Sequence, residues 1–287
     1  MIIKFDLHNY GFGTHLFIFI DWLYNINKLK DIKIYPDWTY KNKNVFFLLF
    51  NSKLEENNFH TDYFTTCFIS QIKRENWPKN IPEKVLNQIQ SINDILKEYN
   101  GYFWCKIKVY FDPEFNLLRT RYHDIINEYL IPKIFILNHV NTFVENYFGS
   151  KTIGIHIRTP KHYNINNIDI NKYINDVIIS VRKDLDNYNF DKIFIATDLL
   201  PFIEQMNIIY PNQVIYYEQK RITQNVDWSD KHLDIYDEWK YALIDALLLS
   251  KCIHLMGTSS NLFMFSLCIN KDVSFNIIDY YKNLNGC

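Results

Sequence analysis

His156 and Arg158, two residues apart in the stretch TIGIHIRTPKHY, are the side chains of this 287-residue chain best placed to do chemistry. Ile153, Ile155 and Ile157 alternate with Gly154, His156 and Arg158, a period of two that predicts a strand with one buried face. The other face carries Gly, His and Arg toward Pro160, which has no N–H to continue a ladder. An arginine at the carboxyl end of a buried strand is costly to desolvate unless an anion or a carboxylate meets it. Its planar fork of N–H groups suits a phosphate. Two readings follow for Arg158, an anion grip or an ion pair with a buried aspartate. For His156 alone, a hydrogen-bonded core histidine is the simpler reading.

Three other segments offer compatible chemistry. GFGTHL, with Gly11 and Gly13, ends a predicted strand and opens a helix, where free N–H groups can receive a phosphate. A tight turn would explain it equally well, since the third glycine of the dinucleotide fingerprint is missing. IATD places Asp198 at the carboxyl end of another predicted strand, where open parallel sheets bind ligands. Helix capping is the alternative there. GTSSNL places Ser259, Ser260 and Asn261 before an apolar helix, for capping or for anion binding. Of only seven glycines, Gly11, Gly13, Gly154 and Gly257 lie in or beside these segments.

The elements that must position these residues are read from the same periodicities. MIIKFDL, the glycine turn, LFIFIDWLYNINKLK and DIKIYPD form strand, loop, helix and strand, the opening of a nucleotide-binding α/β unit. Residues 38–100 are poorly patterned, with a short apolar run in NVFFLLF and a predicted helix at 82–99. A strand is predicted at 103–111. Helix follows over 112–148, with Asp112 as N-cap before Pro113. From about residue 150, TIGIHIR, KIFIATD, QVIYYE, IHLMG and VSFNII alternate with helical segments, which predicts a parallel α/β domain. The domain cut falls near Gly149, giving lobes 1–149 and 150–287.

Composition narrows the function. At 48% hydrophobic and 17% aromatic residues the chain can bury a sizeable core, and its formal charge of −1 gives no general attraction to nucleic acid or an anionic membrane. Any anion site must therefore be local. Five scattered cysteines without CxxC spacing are expected to be reduced thiols of a cytosolic protein. The first residues lack the pattern of a secretory leader, and Asp21 interrupts the apolar run LFIFIDWLYNI, so no membrane span is expected. Attachment to a membrane through a partner stays open, as does the oligomeric state.

The order of HxR at one strand end, ATD at the next, an acidic helix and then GTSSN resembles the GDP-fucosyltransferase superfamily. The likeness is to the α-1,6-fucosyltransferases and, more distantly, to the α-1,2 and protein O-fucosyltransferases. IGIHIRTPK, FIATDLLPFIEQMNIIYPN, ALIDALLLSKCIHLMGTSSNLFMFSLCIN and FNIIDYY carry it, together with YGFGTHLFIFIDWLY. The resemblance implies a B-type glycosyltransferase, with two Rossmann-like lobes, parallel sheets facing a cleft, and the sugar nucleotide mainly on the C-terminal lobe. It implies that Arg158 holds the diphosphate of GDP-fucose and stabilises the leaving GDP. By the same resemblance His156 and Asp198 contact the nucleoside, while Ser259, Ser260 and Asn261 hold phosphates with Gly11 and Gly13. Such enzymes invert the anomeric carbon and need no metal or other cofactor. The one literal DxD, Asp184 and Asp186, reads as a solvated connection.

This chain departs from the family where HxRRTD or HxRRGD is usual, since HIRTPK puts Thr159 at the second arginine. No motif places the base that deprotonates the acceptor hydroxyl. His162, Asp169 and Asp6 are its candidates. The expectation is an inverting glycosyltransferase moving fucose from GDP-fucose to a glycan. Another nucleotide-linked sugar and a non-catalytic GDP- or carbohydrate-binding relative are the alternatives. A dehydrogenase fits less well, because only Asp37 offers the acidic residue that such a site needs after its second strand.

Overall fold

Residues 2–6, 12–26, 33–41, 43–52, 110–159, 169–221 and 234–278 are described by the computed structural model. It divides into two compact units, Met1–Ile134 and Phe135–Cys287. In the first, strands β1 (Ile2–Asp6) and β2 (Lys33–Asp37) pair in parallel, and helix α1 (Phe12–Ile26) is the crossover that a parallel pair requires. Phe12, Leu16, Phe19, Ile20 and Leu23 recur at helical spacing on α1 and are all buried. Phe19 and Phe46 meet the fully buried Trp38 edge to face, with ring centroids at 5.4 and 4.9 Å. Such pairs add to the burial of their area.

The poorly patterned stretch resolves into short pieces. Strands β3 (Thr39–Tyr40) and β4 (Lys43–Asn44) form an antiparallel pair. The Asn44 side chain then accepts from the Phe46 N–H and caps helix α2 (Val45–Leu49). The apolar run there is therefore a helical turn, closed by a cap that composition alone does not weigh. Strand β5 (Phe50–Asn51) pairs antiparallel with β6 (Ile131–Pro132), which follows helix α3 (Phe115–Tyr129). The Asp112 carboxylate accepts from the Glu114 N–H at 2.8 Å, so it closes the turn leading into α3 while the helix itself starts at Phe115. The helix expected at 82–99, and nearly all of the strand expected at 103–111, lie outside the described residues.

The second unit holds helix α4 (Ile134–Tyr147) and the alternating elements that follow. Phe143 of α4 packs against Phe194 and Tyr217, at 5.9 and 5.6 Å between centroids, which ties α4 to that unit. The point near Gly149 instead marks where strand and helix begin to alternate. The chain continues as β7 (Thr152–Ile157), α5 (Ile170–Leu185), β8 (Lys192–Thr197), α6 (Leu200–Ile209) and β9 (Val214–Ile215). It ends as α7 (Ile235–Leu249), β10 (His254–Gly257), α8 (Asn261–Ile269) and β11 (Ser274–Ile277). The five strands form one parallel sheet in the order β11-β10-β7-β8-β9.

Strand β7 corrects the expectation of a single buried face, because all six of its residues are buried. Ile153, Ile155 and Ile157 join Ile174, Val177, Phe202 and Met206 of α5 and α6 in one core. A Cβ added to Gly154, on the opposite face, would lie 2.5 Å from Leu255, 2.9 Å from the Cys252 sulfur and 3.0 Å from Leu249. A parallel sheet is covered on both faces by its crossovers, so period-two alternation in a central strand does not mark a solvent side. Cys252 and Cys268 are buried and stand outside any disulfide. Among the described residues no helix is long and apolar enough to cross a membrane.

Candidate functional site

The strand order places a ligand crevice before any side chain is considered. From β7 the chain steps outward through β8 to β9, then returns to β10 on the other side of β7. The direction of winding thus reverses between the carboxyl ends of β7 and β10, the switch point at which open α/β sheets bind ligands. Arg158 leaves one of these strands and Thr258-Ser259-Ser260 leaves the other.

Arg158 is held by groups from three other elements. Its backbone N–H donates to Thr258 Oγ1 at 2.9 Å, and its carbonyl accepts from the Tyr173 hydroxyl at 2.7 Å. Its guanidinium lies 3.8 Å from Asp198 Oδ2, with the arginine side chain 25% exposed and the carboxylate 6%. The arginine side chain therefore keeps partial contact with solvent while its counter-ion is buried. Asp198 also accepts from the hydroxyl of Thr159. It does not cap α6, whose N-cap is Leu199. Of the two readings of Arg158, the aspartate pair is present, and the arginine side chain keeps partial exposure.

His156 sits behind this group and is buried. Its Nδ1 lies 3.0 Å from the Ala196 carbonyl, which can only accept, so Nδ1 carries the proton. Nε2 is then an acceptor, buried and without a hydrogen-bond partner among the described residues. Burial, reinforced by the positive charge of Arg158, pushes the imidazole down to about 4, with Asp198 and the Ala196 carbonyl opposing. At neutral pH His156 is an uncharged acceptor and adds no positive charge to an anion site.

A stability prediction follows from that shift. The unfolded chain, with its histidine near 6.5, binds a proton that the folded chain refuses until about pH 4. Stability is full above pH 6.5 and falls as the pH drops through that window, by on the order of 3 kcal/mol in total. His254, also lowered by burial, acts in the same direction. Urea unfolding at pH 7.0 and 4.5 should show a smaller loss in His156→Gln than in the wild type. Equal losses in the two would remove His156 from the account.

The GTSSN segment behaves as a helix entry. Ser260 caps α8, accepting from the Phe263 N–H at 3.1 Å, and Ser259 and Asn261 are buried beside it. This puts the positive end of the α8 dipole next to the loop of Arg158, since Thr258 belongs to both. The glycine segment divides differently. Gly11 is outside the described residues, and Gly13 is buried in the first turn of α1, in the first unit. Helix α1 thus starts earlier than the loop expectation allowed, because its buried apolar positions begin at Phe12.

The base candidates scatter. His162 is outside the described residues, and Asp6 ends β1 in the first unit. Asp169 caps α5 by accepting from Asn171 and Lys172. Asp184 and Asp186 end α5 near the start of β8, at the opposite end of the sheet from Arg158.

Sequence reading missed a second polar group beside β8. Arg221 donates to the carbonyls of Thr197, Gln219 and Tyr217 at 3.2, 3.2 and 2.6 Å, and stands 4.9 Å over the Tyr216 ring. Gln219 in turn donates to the Asp245 carboxylate, buried in α7, at 2.6 Å. Asp245 had a signal, an acid inside the apolar run ALIDALLLS. Arg221 had none, because its partners are main-chain carbonyls. An open groove of about 590 Å³ along α4, between Phe135, Phe143, Tyr147 and Tyr217, meets the Arg221 group at Tyr217 and shares no residue with the Arg158 group.

No protein-family model and no curated protein matches the chain. Solved structures match it over nearly its whole length. NodZ alpha-1,6-fucosyltransferase soaked with GDP-fucose aligns with a TM-score of 0.60 at 15% identity, over 97% of this chain and 95% of that one. The fold is that of the GDP-fucosyltransferases. Fucosyltransferase NodZ from Bradyrhizobium gives 0.57 at 17% identity, covering 92% and 91%. POFUT1 in complex with GDP-fucose gives 0.53 at 12%, covering 96% and 97%. The B-type fold expected from the resemblance is thus present. Among the described residues of the first unit its parallel sheet consists of β1 and β2.

Proposed function

We propose that the chain is an inverting, metal-independent glycosyltransferase that moves fucose from GDP-fucose to a hydroxyl of a glycan. One observation carries this reading: a partly exposed arginine fixed at the switch point of a fucosyltransferase fold, beside the N-terminus of α8. In the proposed reaction the acceptor oxygen attacks the anomeric carbon opposite the diphosphate. The bond from that carbon to the β-phosphate oxygen breaks, and GDP leaves with the electron pair. Arg158 and the α8 terminus meet the charge that develops on the leaving diphosphate. Ser259, Ser260 and Asn261 serve the phosphate end. His156, an uncharged acceptor, and Asp198 serve the nucleoside side. A cytoplasmic location belongs to the same proposal.

Calorimetric titration with GDP, UDP and NAD in the presence of EDTA tests it. Selective binding of GDP, followed by transfer from GDP-fucose to a glycan hydroxyl, is the expected result. Binding of UDP as tight as GDP would overturn the donor assignment. GDP binding without turnover of any GDP-sugar would leave a binding protein.

Asp198 can act in two ways, and one variant separates them. If its carboxylate reads the guanine base, Asp198→Asn weakens GDP by about tenfold and UDP much less. If it acts by holding Arg158, both nucleotides weaken alike. We expect the first pattern, and parallel losses would reassign Asp198 as the counter-ion of Arg158 alone.

A further inference from the structure

We infer that Tyr173 is a positioning residue for Arg158, joining the core of the second unit to the diphosphate end of the site. The inference deepens the reading above and rests on it for the identity of the ligand. Tyr173 occupies the first turn of α5, and its side chain is fully buried in the cluster formed by Ile155, Ile157 and Val177. The ring is core, but the hydroxyl donates at 2.7 Å to the carbonyl of Arg158, a residue just beyond the end of β7. That carbonyl lies past the ladder, where no paired strand fixes it.

The same residue receives a second restraint on its N–H from Thr258, which is fully buried. Both main-chain groups of Arg158 are therefore bonded to buried side chains from separate elements. The following residue is tied as well, since Thr159 donates to Asp198. The orientation of the guanidinium sets how an anion is met, and a fixed backbone supplies it without reorganisation when the anion arrives. Asp169 secures the arrangement by capping α5 at the turn where Tyr173 sits.

Tyr173→Phe removes the hydroxyl and keeps the ring in the core, so it is expected to fold and to melt within a few degrees of the wild type. Two measurements decide the inference. The first is ¹⁵N relaxation of the Arg158 Nε–Hε group, assigned by its absence in Arg158→Ala. It should be ordered in the wild type and clearly more mobile in Tyr173→Phe, with no nucleotide present. The second is GDP affinity in a double-mutant cycle. Tyr173→Phe should weaken GDP by about tenfold in the wild-type background and by less than twofold in Arg158→Ala. A purely structural role for Tyr173 would leave Arg158 equally ordered in both proteins and weaken GDP equally in both backgrounds, and either result overturns the inference. If GDP does not bind the wild type at all, the functional reading fails, while the relaxation measurement still decides whether Tyr173 orders Arg158.

Discussion

Replacing Arg158 with alanine is expected to leave a folded protein whose GDP affinity falls about tenfold to a hundredfold and whose turnover falls about 10²-fold to 10³-fold. The affinity loss is that of charge-assisted hydrogen bonds to a phosphate, roughly 1.5 to 3 kcal/mol. The larger loss in turnover arises because negative charge on the diphosphate grows as GDP leaves, so a preorganised cation is worth more in the transition state than in the bound donor. Stability is touched far less. The arginine side chain is a quarter exposed and its guanidinium is 3.8 Å from Asp198, a partly solvated pair of the kind worth about 1 kcal/mol or less. The buried carboxylate retains its hydrogen bond from Thr159. Arg158→Lys keeps the charge but not the fork, and should fall between the two proteins in both affinity and rate. Calorimetry with GDP, transfer kinetics from GDP-fucose and thermal melts check the three parts. Wild-type turnover in Arg158→Ala would remove this residue from the reaction.

Gly257→Ala is expected to give the largest loss of stability among the single substitutions considered, about 1 to 3 kcal/mol. A Cβ at this position would lie 2.6 and 2.7 Å from ring carbons of Phe263 and 2.9 Å from the carbonyl oxygen of His156. The carbonyl belongs to β7 and cannot move without disturbing its bond from the Thr258 N–H, 3.0 Å long. The Phe263 ring is fully buried in the first turn of α8 and has no open direction. Strain at Gly257 therefore reaches β7, the Arg158 loop and the α8 N-terminus together. A depressed melting temperature accompanied by weaker GDP binding is the expected result, and a wild-type melt would show that β10 and α8 can part without cost.

How much of the site was legible depended on the range of the interactions. Alternation in TIGIHI located a strand and the turn after it, because both are set by neighbouring residues. Serines ahead of NLFMFSLCI marked a helix entry for the same reason, and Ser260 is its cap. A glycine pair reads as a turn and so puts Gly13 in a loop, although the buried positions of α1 start one residue earlier, at Phe12. The dipeptide Asp112-Pro113 correctly signalled a cap, but for the turn before α3 rather than for α3 itself. Asp169, considered for proton transfer, does the work of a cap, a role that its position before INKY already allowed. Tyr173 was hidden because a tyrosine at an apolar helical position looks like core, and its ring is core.

By itself the sequence determined the alternating strands and helices of the second unit, the parallel α/β class and the placing of Arg158, Asp198 and Ser260 at element ends, since each depends on local spacing and capping. Only the tertiary structure decided what holds Arg158. Thr258 and Tyr173 are 100 and 15 residues away in the chain, and Asp198 comes from another strand. Those distances close only when β10 returns to the far side of β7 and both faces of the sheet are covered. The physical reason is that hydrogen-bond partners across parallel strands are set by strand order and burial, and neither has a local period to be read.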